Sequence, residues 1–223
     1  NGKRGEKIVD SNDIELLERI NQLENDSLRT SKLKEGYNTA QPINSNGIEY
    51  THQFYTKRAF IYLSRVFELA KDDISLKTWI TSVLFSTTKM NKFRFSGTGI
   101  TTGTLYIPSI NWEFTPHNTL SRKITSFVGI AYKTRGNEVI SLNSAISINN
   151  LKDNSIDYIF TDPPFGANIM YSELSSIWEG WIKVSTNSKD EAIINTIQNK
   201  SLFEYQSLMN RSLKEYYRVL KPS

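Results

Sequence analysis

The chain has 223 residues, of which 38% are hydrophobic and 22% are charged, with a net charge of +4 and no cysteine. This length can bury the core of one large domain, or of one domain and part of a second. The composition excludes disulfide bonds and thiolate metal sites. The two histidines, His52 and His117, are far apart and have no carboxylate at ligand spacing, so we predict no metal site.

Several classes of protein are excluded by motifs that the sequence lacks. No apolar run approaches the roughly 20 residues that a membrane-spanning helix needs, and we predict no membrane partner. The basic first residues lack the apolar stretch of a secretory signal, and a chain without cysteine fits a reducing compartment, so we expect a cytoplasmic protein. Neither G-x-S-x-G nor G-x-x-x-x-G-K-[ST] occurs, which excludes a serine hydrolase and a P-loop phosphotransferase.

The chain begins with one predicted helix and one predicted loop. Residues 12–25 are predicted to form a helix, with Asn12 and Glu15 as a capping box. Its apolar stripe comprises Ile14, Leu17 and Ile20, with Leu16 and Leu23 beside it. Residues 30–50 are rich in Asn, Ser, Thr and Gly, which is typical of a linker or a long loop.

Two stronger helices are predicted next, from about Thr56 to Lys71 and from about Ser75 to Thr88. Apolar residues recur at helical spacing in both segments. The residues that we expect to face the core are Phe60, Leu63, Phe67, Ala70, Trp79, Ile80, Val83 and Leu84. Glycine and proline then interrupt residues 93–114, for which we predict a loop with one or two short strands in TLYIP and INWEF. Another helix is predicted over residues 118–134, with Gly136 as its stop.

Basic and aromatic residues alternate between positions 89 and 135, where Glu113 is the only acid. The cations are Lys89, Lys92, Arg94, Arg122, Lys123, Lys133 and Arg135, and the aromatic residues among them are Phe93, Phe95, Tyr106 and Trp112. Such a mixture is typical of surfaces that follow a nucleic-acid backbone and stack on bases. A solvated basic face over ordinary core aromatics is the alternative interpretation.

The last part of the chain has an α/β pattern. Strands are predicted in EVISL (residues 138–142) and in IDYIF (residues 156–160), and apolar residues on both faces of the second strand favour the centre of a parallel sheet. Three helices are predicted to follow, spanning Tyr171 to Val184, Lys189 to Asn199 and Leu202 to Leu220.

The order of residues in TDPPF, residues 161–165, suggests a binding site for a planar amine. Ligands of open α/β sheets lie beyond the carboxyl ends of the strands, where Asp162 is expected. The two prolines stiffen the backbone and leave its carbonyl groups free to accept hydrogen bonds, and Phe165 offers a flat apolar ring. An exocyclic amine of a nucleobase fits such acceptors, which would stabilise positive charge as the nitrogen attacks a methyl group. The base would have to be flipped out of a duplex or already unpaired.

These residues resemble motif IV of the S-adenosylmethionine-dependent DNA amino-methyltransferases, which act on adenine N6 or cytosine N4. The likeness extends beyond DPPF to residues 54–69, 81–91, 143–165, 166–181 and 217–222. It implies a class I methyltransferase unit in which Asp162, Pro163, Pro164 and Phe165 are catalytic. Cofactor contacts are implied for Asp162 and for Asn143 and Ser144, which stand where the family has Gly-Asp. Asp rather than Ser at the start of the motif favours adenine N6.

Further contacts to a DNA substrate are expected from Phe165, Gly166 and Tyr171 beside the motif, and from Lys92 and Arg94 in the basic segment. Pro-rich turns also close strands without any catalytic role, and Tyr171 has the helical spacing of an ordinary core residue. A non-catalytic DNA-binding module and an RNA guanine-N2 methyltransferase are therefore alternatives to the DNA enzyme.

The glycine-rich motif that holds S-adenosylmethionine in this family is not convincingly present. Phe95 to Gly99 reads F-S-G-T-G, but only 13 residues separate Gly99 from Glu113, the acid that would follow the second strand, which leaves no room for a crossover helix. We expect the motif to lie outside this chain, before Asn1, and the chain alone to be inactive. The predicted fold is α/β: residues 1–136 are a mostly helical region, which we interpret as a DNA-reading insertion, and residues 137–223 are a partial, Rossmann-like catalytic domain.

Overall fold

The computed structural model describes residues 7–23, 31–131, 139–141 and 143–222. This part of the chain is mainly helical and contains one small antiparallel sheet. Its helices are α1 (Ser11–Gln22), α2 (Tyr37–Asn46), α3 (Lys57–Leu69), α4 (Ile74–Leu84), α5 (Pro116–Ala131), α6 (Tyr171–Leu174), α7 (Ser176–Ile182) and α8 (Leu202–Val219), and its strands are β1 (Lys92–Arg94) and β2 (Gly97–Gly99). The predicted α/β class holds in the coarse sense that helices and a sheet are both present. None of the described helices combines the length and hydrophobicity needed to cross a bilayer.

Helix α1 is present where a helix was predicted, but its cap differs. Asp10 and Asp13 form the capping box, in which the Asp13 N–H donates to Asp10 and the Asp10 N–H donates to Asp13. The predicted box of Asn12 and Glu15 is therefore wrong by two residues. No residue of α1 is buried, so its apolar stripe faces solvent rather than a core.

Helix α2 replaces much of the loop predicted over residues 30–50. It begins after Gly36 and ends at Gly47, whose φ of 64° suits the left-handed turn that closes many helices. Its sequence is polar and includes Pro42, so helix propensity gives little support for it. The stabilising contact comes from elsewhere in the chain, because the Glu173 carboxylate accepts hydrogen bonds at the beginning of α2.

Helices α3 and α4 confirm the sequence prediction, and they build most of the core. Thr56 and Asp73 cap their first turns through side-chain oxygens. A short 3-10 turn over Phe85–Thr87 extends α4. The core-facing residues on these two helices are Ala59, Phe60, Leu63, Ile80, Val83 and Leu84, which are all buried. They pack with Leu105, Ile107 and Leu120, and with Ile177 and Trp181 of α7.

The strands β1 and β2 precede the two segments, TLYIP and INWEF, in which strands were predicted. They pair antiparallel, with Phe93 opposite Thr98, and the predicted strand in INWEF is reduced to a single bridge between Asn111 and Lys92. Helix α5 begins two residues before the predicted start, at Pro116. Proline suits the first turn of a helix because it lacks an N–H that would remain unpaired. The predicted stop at Gly136 lies outside the described residues.

The predicted central strand at residues 156–160 is wrong. Ile156 pairs with Leu220 through one parallel bridge, but Tyr158 and Phe160 are 77% and 86% exposed. A strand at the centre of a parallel sheet needs a neighbour on each side, and among the described residues only the segment at Leu220 pairs with it. Of the predicted strand at residues 138–142, positions 138 and 142 lie outside the described residues, and positions 139–141 are exposed and not in a strand.

The C-terminal helices agree with the sequence prediction in two cases out of three. A helix was predicted from Tyr171 to Val184, and α6 and α7 occupy this range with a break at Ser175. Helix α8 agrees closely with its prediction. The helix predicted from Lys189 to Asn199 is wrong: after a 3-10 turn at Ser188–Asp190 the segment is irregular. Because α7 packs into the helical core, the proposed division near residue 136 would pass through a packed contact, and it stays a prediction.

Candidate functional site

The segment that carries TDPPF runs as extended chain along the side of α8. It starts from the pairing of Ile156 with the end of that helix, where the Ile156 N–H donates to the Val219 carbonyl at 2.9 Å and the Lys221 N–H donates to the Ile156 carbonyl at 3.0 Å. The Lys221 ammonium lies 2.6 Å from the Asp157 carboxylate and lowers the pKa of Asp157. These contacts fix the direction in which the chain enters the motif.

Four residues of TDPPF line one cavity of about 340 Å³. They are Thr161, Asp162, Pro163 and Pro164, and the loop of residues 144–146 contributes Ser144. Helix α8 closes the cavity with Met209, Ser212, Leu213 and Tyr216. The volume is at the small end of the range for ligand pockets, and it is sufficient for a group of nucleobase size.

Helix α8 can present these side chains because their spacing follows its turn. Tyr205, Met209, Ser212 and Tyr216 recur every three or four residues and therefore share one face. The helix is anchored at its beginning by a capping box in which the Ser201 side chain accepts from the Phe203 N–H and Glu204 accepts from the Ser201 N–H at 2.8 Å.

The two proline carbonyl groups of the motif have different surroundings. The Tyr205 hydroxyl donates to the Pro164 carbonyl at 2.8 Å. In the described part of the chain, no donor contacts the carbonyl of Pro163. The Asp162 side chain is exposed at the mouth of the cavity, and it makes no ion pair or hydrogen bond with any described residue. The cavity is therefore lined by two carboxylate residues, Asp162 and Asp190, and by Pro163, whose carbonyl has no described donor.

A tight turn follows the motif at Phe165 and Gly166. Gly166 has a φ of 53°, a left-handed conformation that favours glycine. The Asn168 N–H donates to the Phe165 carbonyl at 3.0 Å, and the Ile194 N–H donates to the Gly166 carbonyl at 3.1 Å. The Phe165 ring is 70% exposed and does not line the cavity. Its face is thus open to solvent, beside the cavity rather than within it.

The irregular segment after α7 supports this turn from behind. Lys200 is buried and donates from its ammonium to the carbonyl groups of Ser188 and Glu191, at 2.5 and 2.6 Å. Burial lowers the pKa of Lys200. The Glu191 carboxylate accepts from the N–H and hydroxyl of Ser172, at 2.9 and 2.6 Å, at the beginning of α6. These hydrogen bonds stabilise residues 189–199 as an irregular loop instead of the predicted helix.

The loop that contributes Ser144 to the cavity is held to α8, further along the length of the loop, by Arg218. Its guanidinium contacts the Asp153 carboxylate at 2.6 Å and the Glu215 carboxylate at 2.9 Å, and it donates to the carbonyl of Ile148 at 3.0 Å. Glu215 also accepts from the Ile148 N–H at 2.9 Å. The hydrogen bond from Arg218, followed by the one from Ile148, lowers the pKa of Glu215 to about 2.

The structure brings together only some of the predicted site residues. Asp162, Pro163, Pro164 and Ser144 line the cavity. The predicted residues outside its lining are Asn143, Phe165, Gly166, Tyr171, Lys92 and Arg94. Tyr171 is half exposed at the start of α6, and Lys92 and Arg94 lie on β1. Asn143 donates to the Ser141 hydroxyl at 3.2 Å.

Sequence reasoning missed Tyr205, Tyr216 and Asp190, which contact the motif or line the cavity. The helical spacing of the two tyrosines on α8 was a usable signal for a face directed to one site. Asp190 gave no such signal, because a helix was predicted there. Among the described residues, no group of three or more His, Asp or Glu side chains could hold a metal ion.

No protein-family model matches the chain, and no curated protein or solved structure matches it. The motif and the geometry of the cavity are therefore the basis for the function proposed below.

Proposed function

We propose that the chain is the target-base half of a DNA amino-methyltransferase that methylates the exocyclic amine of an unpaired base, adenine N6 in preference to cytosine N4. The observation that carries this proposal is the shared cavity of Asp162, Pro163 and Pro164. A carboxylate and an unoccupied carbonyl from adjacent residues are the two acceptors that an NH₂ group requires. The resemblance of DPPF to motif IV supports the same interpretation.

The chain's own groups would act on the amine in the following way. The Asp162 carboxylate accepts one N–H of the target amine, and the Pro163 carbonyl accepts the other. Both bonds favour a pyramidal nitrogen, whose lone pair is then available to form the new N–C bond. As positive charge develops on that nitrogen, the carboxylate stabilises it and can accept the proton that leaves.

The two proline carbonyl groups would then have separate tasks. Because Tyr205 occupies the Pro164 carbonyl, it fixes the backbone that carries the other acceptor. Positioning of this kind is a large part of catalysis when two reactants must meet in line. The exposed ring of Phe165 would stack on the plane of the base at the mouth of the cavity.

S-adenosylmethionine would supply the methyl group. The residues present fit a part of this cofactor: Ser144 and Asp162 both line the cavity and offer polar groups to it. A glycine-rich turn for the methionine end is not convincingly present in the sequence, and we propose that this part of the site belongs to another segment. The finer fold assignment, a partial Rossmann-like sheet unit that begins at the pairing of Ile156 with Leu220, belongs to the same proposal.

The decisive experiment is methylation of DNA by a longer protein in which this chain is joined to a cofactor-binding half. Wild-type protein and the Asp162→Ala variant are incubated with labelled S-adenosylmethionine, and the digested DNA is analysed for N6-methyladenine and N4-methylcytosine. We expect N6-methyladenine from the wild type, and a loss of roughly 100-fold or more for Asp162→Ala with retained DNA binding.

Matched variants separate catalysis from folding. Asp72→Ala removes an exposed carboxylate that lies outside the cavity lining and has no hydrogen bond or ion pair with a described residue, so it should leave the methylation rate nearly unchanged. Modified RNA guanine in place of a modified DNA base would support the RNA enzyme instead. DNA binding without methylation by the wild type would support a non-catalytic module.

A further inference from the structure

The basic segment forms a small β-ribbon, which we define as residues 91–99 and 110–112. Strand β1 pairs with β2 on one edge. On its other edge the Phe93 N–H donates to the Ile110 carbonyl at 3.1 Å, and the Trp112 N–H donates to the Asn91 carbonyl at 2.8 Å. Asn91 is buried, and its side chain donates to the carbonyl groups of Ser86 and Thr88, at 2.7 and 2.9 Å. The ribbon is thus anchored at its base and projects its turn outward.

Three aromatic rings form a row along the ribbon. Phe93 lies in the middle, with its ring centroid 5.9 Å from Trp112 in a stacked arrangement and 5.5 Å from Phe95 in an edge-on arrangement. Both ends of the row are more exposed than its middle: Phe93 is partly buried, Trp112 is 42% exposed and Phe95, in the turn, is 103% exposed. The interpretation as core aromatics therefore does not hold for Phe95.

The charge around this row is suited to a polyanion. Lys92 and Arg94 flank Phe93 on β1, both are exposed, and neither forms an ion pair with a described residue. The single acid of the segment, Glu113, is already paired with Arg58 at 2.7 Å and accepts from the Thr56 hydroxyl at 2.8 Å. No acidic side chain of this segment is thus left to neutralise the ribbon.

An open cleft of about 680 Å³ lies at the Trp112 end of the row. Trp112 forms one of its sides, and Asn118, Ser121 and Arg122 of α5 contribute polar groups to it. The paired Glu113 also lines the cleft. A flat ring beside a guanidinium and hydroxyl groups is suited to a nucleotide, whose base stacks while its phosphate meets the cation.

We propose that the ribbon binds unpaired DNA nucleotides, with Phe95 stacking on a base and Lys92 and Arg94 contacting the phosphates beside it. This inference rests on the proposed function for the identity of the nucleic acid. It assigns to Phe95 and to Trp112 a role that the motif does not require. An enzyme that works on an extruded base disrupts the stack around it, and a ring on a rigid ribbon can compensate for lost stacking.

The test measures binding of the 223-residue chain to a fluorescein-labelled 15-nucleotide single strand and to a duplex of the same sequence by fluorescence anisotropy. We expect tighter binding of the single strand. Phe95→Ala should weaken it by roughly 5- to 100-fold, the range found for loss of one base–aromatic stack, whereas Phe95→Trp should retain it. Lys92→Gln and Arg94→Gln should each reduce the slope of log affinity against log salt by roughly 0.7.

Phe203→Ala is the matched control, because Phe203 is 74% exposed in the first turn of α8, outside the ribbon. Far-UV circular dichroism checks that each variant is folded. The inference is overturned if Phe95→Ala binds the single strand like Phe203→Ala, if the duplex is preferred, or if the wild type binds no DNA. The methylation experiment is independent: loss of binding in Phe95→Ala with no methyl transfer by the longer protein would refute the proposed enzyme and leave the ribbon assignment intact.

Discussion

Glu173 connects the helix behind the motif to a helix near the beginning of the chain. Its carboxylate is 3% exposed, and it accepts from the N–H groups of Tyr37 and Asn38 at 3.3 and 2.7 Å, and from the Asn195 side chain at 3.3 Å. The first N–H groups of a helix have no partner within it, and negative charge is favourable there. Gly36 leaves the space that the carboxylate occupies, since a Cβ at that position would overlap it.

The Gly36→Ala substitution tests this contact from the side of α2. The added methyl group must displace the Glu173 carboxylate, so we expect the free energy of unfolding to fall by roughly 1–3 kcal/mol, the usual cost of leaving buried polar groups without partners. Urea denaturation followed by circular dichroism measures the change. Glu173→Gln, which keeps the shape but removes the charge, should produce a smaller loss in the same direction.

Gly129→Ala is the control for the substitution itself, because a Cβ at this position of α5 would meet no described atom within 4 Å apart from its chain neighbours and the backbone of the helix itself. Alanine is the better helix former, so this variant should be as stable as the wild type or more stable by up to about 1 kcal/mol. Equal stability of Gly36→Ala and Gly129→Ala would contradict the role assigned to Glu173.

At the scale of elements, one charged cluster connects α8 to the loop that contributes Ser144 to the cavity. The loop of residues 144–155 has little regular structure, and Arg218 of α8 holds it through Asp153, Glu215 and the carbonyl of Ile148. Several hydrogen bonds converge on one planar guanidinium, a geometry in which arginine fixes the orientation of its partners. We therefore expect this cluster to stabilise the loop that contributes Ser144 to the cavity.

The pKa of Glu215 predicts how stability depends on pH. Its ordinary pKa of 4.5 is lowered to about 2 in the folded chain, chiefly by the hydrogen bond from Arg218. As the pH falls, Glu215 is therefore protonated in the unfolded chain before it is protonated in the folded chain. The stabilisation that ionised Glu215 gives to the fold is complete above pH 4.5 and is lost as the pH falls to about 2. Urea midpoints measured across this window should fall more steeply for the wild type than for Glu215→Gln.

Other carboxylates also bind protons as the pH falls, so the comparison needs a control variant that has the same net charge as Glu215→Gln. Glu18→Gln removes an exposed carboxylate of α1 and should follow the wild-type pH profile. Identical profiles for Glu215→Gln and the wild type would show that the Arg218 cluster does not stabilise the fold.

The same elements show what could be predicted from sequence. Helices α3, α4 and α8 combine apolar periodicity with local caps at Thr56, Asp73 and Ser201, so the information lies within each segment. Helix α2 has no such pattern, because its stabilising acceptor is Glu173 in a distant segment. The proposed acceptors of the site could also be identified from one segment, because Asp162 and the prolines are adjacent in the chain. Tyr205 reaches the site only through tertiary packing, and it was missed.

At the scale of the whole molecule, the apolar residues around the motif are not enclosed. Tyr158 and Phe160 were predicted to be covered on both faces of a sheet, and instead they are exposed together with Val139 and Ile140. The sequence identifies these residues as apolar and prone to form strands, but their pairing and burial depend on neighbouring strands. Among the described residues, the pairing of Ile156 with Leu220 is the only parallel contact at this place.

The residues that line the cavity predict how tightly the chain binds the proposed cofactor. Under the proposed function, Ser144 and Asp162 would contact one end of S-adenosylmethionine, and the described residues that line the cavity include no glycine that could enclose the other end. Most of the binding free energy would then be missing, since small-molecule sites normally bury most of the ligand surface. We expect isothermal titration calorimetry of the 223-residue chain with S-adenosylmethionine to give a dissociation constant in the millimolar range or no measurable heat.

The Asp162→Ala variant shows whether any residual binding uses the proposed site. Weak heat that disappears in this variant would place the cofactor at the cavity, and weak heat that persists would indicate contacts elsewhere. Micromolar binding by the unmodified chain would contradict the division of the site into two parts, because the residues between Asn1 and Ser223 would then hold the cofactor without a glycine-rich partner segment. That outcome would also make methylation by the chain itself the next measurement.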